Sequence, residues 1–296
     1  MKIYQGFAEI YDNLMFDAPY DEWVGWIDKW INEKLQLSEQ SGASVAPNCG
    51  ALTSNESDAP NCGALTSNES DAPYCGALTS NESDAPYCGA SARIIVDLGC
   101  GTGSVLVRLA KMGYSVIGVD SSVEMLGIAQ EKAAPGTLFI NQDLRNLDLY
   151  GTAHAFVSVC DVMNYILNTE SLQKVFERVH LFLEPGGLFI FDMNTIHKYR
   201  DKMTDKIFSG SGLGGESYVW KNRFCNKTMI NEYNVTFHCG VNNAVFTEKH
   251  LQKAYESSVV ENLLKLAGFQ SVEVRCGYSD KPLSTKSIRA VYIAQK

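Results

Sequence analysis

The sequence predicts an α/β fold built on an open, mostly parallel sheet, and three observations carry that prediction. An apolar run, Ile94-Ile95-Val96, leads into a glycine turn and then into the helical pattern Val105, Leu106, Leu109 and Met112, which stops at Gly113. Buried-type strands then alternate with amphipathic helix-length segments as far as Asp192, the pattern of parallel strands joined by helical crossovers. Between about 207 and 256 the hydrophobic period changes to two, so a small antiparallel sheet is expected there.

The turn, Asp97-Leu98-Gly99-Cys100-Gly101-Thr102-Gly103-Ser104, is the most informative stretch. Its glycines let the backbone take positive φ and leave no side chain between the main chain and a ligand. The helix that follows aims unpaired N–H groups and a positive dipole end at whatever sits above the turn. A dinucleotide fingerprint needs Gly-x-Gly-x-x-Gly, and here Ser104 stands where the third glycine belongs. Asp97 at the strand end repels a pyrophosphate and welcomes an ammonium group. The loop therefore suits a nucleoside carrying a cationic amino acid better than one carrying phosphates.

The 296 residues can bury a sizeable core in one large domain. Net charge is −9, with no cluster of Lys and Arg, which argues against nucleic acid as a main partner, DNA included. No apolar run approaches the ~20 residues of a membrane helix, and the N-terminus has no targeting pattern. Nine cysteines are an odd count, and four of them belong to a repeat; a reduced, cytoplasmic protein is expected. Nothing in the pattern speaks to oligomeric state.

In chain order, Tyr4, Phe7, Tyr11 and Leu14 recur at helical spacing. A second helix begins near Pro19, with Asp21 and Glu22 in its first turn and Trp23, Trp26, Ile27 and Trp30 on one face. Residues 46–90, within a linker spanning 38–92, repeat a thirteen-residue unit, Ala-Pro-Asn-Cys-Gly-Ala-Leu-Thr-Ser-Asn-Glu-Ser-Asp, with Tyr74 replacing Asn in one copy. One leucine per copy cannot offset ~1–2 kcal/mol of backbone entropy per residue, so a disordered insertion is expected. Its cysteines lie thirteen apart, which is no zinc spacing.

Ser115–Asp120 reads as a buried strand ending in an acid, and Ser121-x-x-Glu124 as the capping box of the helix carrying Val123, Met125, Leu126, Ile128 and Ala129. Strands at 137–140, 155–159 and 188–192 and a helix at 169–183 follow. Ser217–Phe224, Thr228–His238 and Val245–Tyr255 alternate as three antiparallel strands. Ser258-x-x-Glu261 caps a last helix over 259–267, ended by Gly268, before strands at 272–275 and 288–294.

Asp97-x-Gly99-x-Gly101-x-Gly103 resembles the first motif of class I S-adenosylmethionine-dependent methyltransferases of the bacterial small-molecule type, and the segments match that family in order over residues 1–37 and 93–296. The resemblance implies a Rossmann-like seven-stranded sheet with helices on both faces, an N-terminal helical lid (residues 1–37) and a three-stranded roof over the acceptor. S-adenosyl-L-methionine is the implied cofactor. Its implied contacts are Asp97, Gly99, Cys100, Gly101, Gly103, Asp120 on the ribose hydroxyls, Ser121, Met125 on the adenine edge, Asp143 and Leu144 on the adenine, and Cys160. In the lid pattern Tyr-x-x-Phe-Ala-x-x-Tyr-Asp, Tyr11 would face the site.

Asp161, Asn164 and Tyr165 follow the fourth strand, where donor and acceptor meet, and Glu248-x-His250 matches a pair found in family members with a roof. Asp161, His197, Glu248 and His250 are the candidate bases. His154 stands where the family has an acid, and the Asp/Asn-Pro-Pro-aromatic signature of DNA amino-methyltransferases is absent. The expected activity is methylation of a small molecule, on nitrogen rather than oxygen, with no metal. The alternatives are an RNA or protein methyltransferase and a cofactor-binding protein without catalysis; the glycine spacing disfavours a nicotinamide oxidoreductase.

Overall fold

The computed structural model describes residues 8–40, 92–239 and 244–296, with side chains omitted at 37–40. Tyr4 and Phe7, the thirteen-residue repeat and the expected turn at 240–243 lie outside the described residues. Two helices, α1 (Ala8–Leu14) and α2 (Tyr20–Gln40), precede the sheet. The strands and crossovers follow as β1 (Ile94–Leu98), α3 (Ser104–Lys111), β2 (Ser115–Asp120), α4 (Val123–Lys132), β3 (Leu138–Asn141), β4 (Ala153–Ser158), α5 (Thr169–Phe182) and β5 (Leu183–Asn194). A π-helical turn, Lys198–Met203, leads into β6 (Ile207–Ser211), β7 (Ser217–Cys225), β8 (Ile230–His238) and β9 (Val245–Lys253). The chain closes with α6 (Ser257–Leu266), β10 (Ser271–Cys276) and β11 (Arg289–Gln295).

The main sheet has seven strands in the order β10-β11-β5-β4-β1-β2-β3. β1 to β5 are parallel, and β11 enters antiparallel between β5 and β10. Because alternate strand residues point to opposite faces, the central strands build two cores. Ile95, Val157, Ile190 and Val291 face α2 and α3, while Val96, Phe156, Phe189, Phe191 and Tyr292 face α5 and α6. The aliphatic face receives α2 through Val24, Ile27 and Ile31, all fully buried.

The local differences from expectation have local causes. The roof has four strands, because the Gly- and Ser-rich segment β6 pairs with β7 although it shows little hydrophobic alternation. The cap of α4 is Ser122, whose Oγ accepts from the Met125 N–H at 3.2 Å; two adjacent serines make the register ambiguous by one residue, and Val123 is consequently exposed. Helix α6 starts at Ser257, which bonds Glu261, and no side chain caps it.

Candidate active site

Tight turns at the carboxyl ends of β1, β2, β4 and β5 bring the site together. After β1 the loop folds back on β2: the Val119 carbonyl accepts from the N–H groups of Gly99 (2.7 Å) and Cys100 (3.1 Å). Asp120 accepts from the Gly101 N–H at 2.9 Å and the Ser122 N–H at 2.8 Å. Gly99 needs its lack of a side chain, since a Cβ there would stand 2.6 Å from the Val162 methyls. Gly101 has φ +53° with no atom within 4 Å of where a Cβ would be, so the space beside it is open to a ligand.

Asp97 lies beneath this loop, 2 % exposed, and among the described residues neither carboxylate oxygen makes a well-formed hydrogen bond, although the Leu106 N–H of α3 faces it. Burial, and then the charge of Asp120, push its carboxyl up to about 7. A buried carboxylate left unpaired costs several kcal/mol, ~1–3 for the missing hydrogen bonds alone, which a cationic ligand relieves. A cavity opens beside Asp97 and the loop, bounded by Val159 and Cys160 at the tip of β4 and covered by Tyr11 and Tyr20.

Helix α1 is the cover. Asp12 accepts from Thr102 Oγ1 (2.7 Å), Ser104 Oγ (3.3 Å) and Lys132 Nζ (2.6 Å), tying α1 to the glycine loop and α4. On the other side Asn13 donates to Glu216 at 3.0 Å, and Ile10 packs on Tyr233, Val235 and Phe237 of the roof.

At the tips of β4 and β5 the charges are already matched. Cys160 and Asp161 both adopt the left-handed region, φ +60° and +55°, a strain of about 1–3 kcal/mol each for non-glycine residues. The fully buried Asp192 carboxylate holds them there by accepting from both N–H groups, at 3.1 and 2.6 Å. Asp192 also accepts from Tyr278 Oη and Arg289 Nη1, each at 2.5 Å. Arg289 reaches Asp161 at 3.3 Å and lies over the Trp23 ring. Burial opposes the guanidinium charge, but Asp192 and Asp161 outweigh it and raise the Arg289 pKa. Asp161 Oδ2 accepts from Gln252 of β9 at 2.6 Å, which pins the roof to the β4 tip.

A second polar cluster hangs from the roof. His250, 2 % exposed, faces Tyr165 Oη through Nδ1 (3.0 Å) and Glu248 Oε2 through Nε2 (3.2 Å). Tyr165 Oη meets Tyr233 Oη at 2.6 Å, and the Tyr233 and His250 rings stack 4.7 Å apart.

Of the residues singled out from sequence, Asp97, Gly99, Cys100, Gly101, Cys160 and Tyr11 line one cavity. Asp120 and Gly103, φ +77°, shape the loop, and Met125 and Leu144 are buried. Others fall differently. Ser121 is exposed, and the capping role belongs to its neighbour. Asp143 accepts from the N–H and guanidinium of Arg145, which lowers its pKa. Asn164 is built into the scaffold: its amide donates to the carbonyls of Asn194 and Lys253 and accepts from the Asn194 N–H, bracing β5 and the roof. His197 pairs with Asp201 at 2.7 Å on the π-helical turn, not at the cavity.

Sequence reasoning missed Tyr20, Thr102, Gln252 and the Asp192–Arg289 pair. Only Asp192, an acid at the end of an apolar strand, left a signal.

Residues 95–187 match the family model of the methyltransferase domain. By this domain and its relatives the chain is a methyltransferase. Over 99 % of its length this methyltransferase is 28 % identical to YqeM of Bacillus subtilis (strain 168), a protein provisionally named a methyltransferase, covering 97 % of it. It is equally similar to a Geobacillus sp. (strain WCH70) protein of the same designation, with 99 % of each chain covered. The fold matches the crystal structure of an S-adenosylmethionine-dependent methyltransferase from Clostridium acetobutylicum ATCC 824 with a TM-score of 0.70 at 23 % identity, covering 99 % of this methyltransferase and 98 % of that chain. No helix among the described residues is long and apolar enough to cross a membrane, and no group of three or more His, Cys, Asp or Glu side chains among them could hold a metal ion.

Proposed function

We propose that this methyltransferase methylates a small polar amine inside a closed chamber. Asp97 would take the ammonium end of S-adenosylmethionine, Asp120 its ribose hydroxyls, and Met125 and the Leu144 N–H its adenine, with the glycine loop beneath. Cys160 and Asp161 would border the transferring methyl, and Tyr11 would cover it. The bound cofactor supplies an activated methyl group on a positively charged sulfur. The protein's share is to hold donor and acceptor at attack distance away from water, an effect that can reach about 7–11 kcal/mol.

The observation that supports the small-molecule reading is the contact of α1 with both the glycine loop and the roof, which covers the cavity beside the loop instead of leaving an open platform. The roof's inner face lends support. Trp220 Nε1, Asn222 Nδ2 and Asn231 Oδ1 are buried there without partners among the described residues, two donors and an acceptor that suit a polar acceptor molecule. Glu248 and the rings of Tyr165, Tyr233 and Trp220 favour an amine over a carboxylate by charge and by cation–π attraction.

The test is incubation with methyl-labelled S-adenosylmethionine and either a protein-free metabolite extract or total RNA and protein. Label in low-molecular-mass amines supports the reading, and label confined to macromolecules rejects it. Asp120→Ala is expected to abolish cofactor binding in calorimetry.

A further inference from the structure

Among the described residues, the hydroxyls of Thr102 and Ser104 share one partner, and it comes from the lid. Thr102 Oγ1 donates to Asp12 Oδ1 at 2.7 Å and Ser104 Oγ to the same oxygen at 3.3 Å, while Asp12 Oδ2 accepts from the Lys132 ammonium at 2.6 Å. Thr102 is buried, and both hydroxyl residues line the cavity that Asp97 and Tyr11 also line. The two oxygens of one carboxylate therefore do different things. Oδ1 fills a pair of donors in the cavity lining, and Oδ2 ties α1 to α4.

The place that Oδ1 fills suits an anion. Ser104 is the first residue of α3, and the N-cap of that helix is Gly103, so no side chain of its own caps it. Unpaired N–H groups and the positive end of the helix dipole favour negative charge there. Asp97, lining the same cavity, is buried with no ion pair and no well-formed hydrogen bond among the described residues. The lining thus holds one unmatched negative charge and one pair of hydroxyl donors at a positive helix end. Those are the complements of an ammonium and a carboxylate carried on one small group.

We propose that Thr102 and Ser104 are the receptor for the carboxylate at the amino-acid end of S-adenosylmethionine, and that Asp12 Oδ1 is a built-in stand-in which that carboxylate displaces. This rests on the reading of Asp97 as the partner of the ammonium. In the free protein the lid's own carboxylate satisfies two hydroxyls that would otherwise be stranded in the cavity lining. In the complex both hydroxyls turn to the ligand, and Asp12 keeps Lys132 through Oδ2. Helix α1 thus stays tethered to α4 while it yields the cavity. Two consequences follow from the exchange. The receptor is free only when Asp12 has left it, so the parent protein binds more weakly than its hydroxyls alone allow. Affinity also depends on the carboxylate, because a ligand without one leaves Asp12 in place.

Calorimetry on the full chain with two ligands tests the exchange. One is S-adenosylmethionine, and the other is its decarboxylated form, which keeps the sulfonium and the ammonium and lacks only the carboxylate. Asp12→Ala should tighten S-adenosylmethionine by about 10-fold, the scale of a charge-assisted hydrogen bond, and leave the decarboxylated form within about two-fold. In stopped-flow the gain should lie in association, which rises by more than release does. Adding Thr102→Val or Ser104→Ala to Asp12→Ala should cancel the gain for S-adenosylmethionine alone, and the second hydroxyl keeps the test standing where one variant fails to fold. An Asp12→Ala protein that binds S-adenosylmethionine more weakly, or that shifts both ligands alike, overturns the exchange and leaves Asp12 as a plain tie of the lid. Asp97→Asn separates the two readings, since both ligands carry the ammonium and both should weaken. If neither weakens while Asp12→Ala still favours the carboxylate, the assignment of Asp97 falls and the exchange stands.

Discussion

Asp97 and Asp192 end neighbouring parts of one sheet edge, both buried, and they are treated in opposite ways. Asp192 is surrounded by four donors, two of them backbone N–H groups, one the Tyr278 hydroxyl and one the Arg289 guanidinium. Asp97 makes no well-formed hydrogen bond among the described residues. An acid whose charge is matched by the protein is part of the scaffold, whereas an acid left unmatched beside a cavity is the one our proposal pairs with a bound cation. The same contrast separates the two halves of the candidate site: the β4–β5 tips are held by internal charge pairs, and the carboxylate beside the glycine loop has no such pair.

The largest effect that would sharpen this contrast is at Arg289. Arg289→Met strands Asp192 without its cation and should lower unfolding free energy by about 3–5 kcal/mol in denaturant titration, the usual cost of halving a buried ion pair. A loss below about 1 kcal/mol would mean that the network is not structural.

Next comes pH. With its carboxyl raised to about 7 by burial and by Asp120, Asp97 is protonated in acid and cannot match a cation. Affinity for S-adenosylmethionine should therefore rise from about pH 6 to about pH 8, by at most about tenfold per unit below the pKa. For stability the sign reverses. A raised acid contributes stability that is full below its unfolded value near 4 and is lost as pH climbs through about 7, so the melting temperature of the free protein should fall over that window. Saturating cofactor should flatten the fall.

The smallest effect concerns the lid. The Asp12–Lys132 pair is about one-third exposed and is worth no more than ~1 kcal/mol, so Asp12→Ala should speed cofactor release only a few-fold in stopped-flow experiments. An unchanged release rate would remove α1 from the cover.

Much of this was legible before any coordinates. The parallel sheet, the glycine loop and Asp120 were readable because each has a one-dimensional signature: a run of apolar residues, a spacing of glycines, an acid at a strand end. Register-level detail was not, as the choice between Ser121 and Ser122 illustrates, since hydrogen-bond geometry rather than residue type decides it. Long-range pairing was invisible too. Arg289 lies 97 residues from Asp192 and 128 from Asp161, and only the return of β11 into the sheet beside β5 brings them together. The partners of Asn164 and His197 were hidden for the same reason, because a polar side chain near a strand tip says nothing about which backbone or carboxylate it will meet.

The most direct measurement is calorimetric titration of Asp97→Asn with S-adenosylmethionine at about pH 8, beside a thermal melt of the free variant. The account predicts binding weakened about 10- to 100-fold, the worth of a charge-assisted contact, with a melting temperature equal to or above that of the parent. Parent-like affinity in the well-folded variant would contradict the claim that the unmatched carboxylate is what receives the cofactor's positive charge.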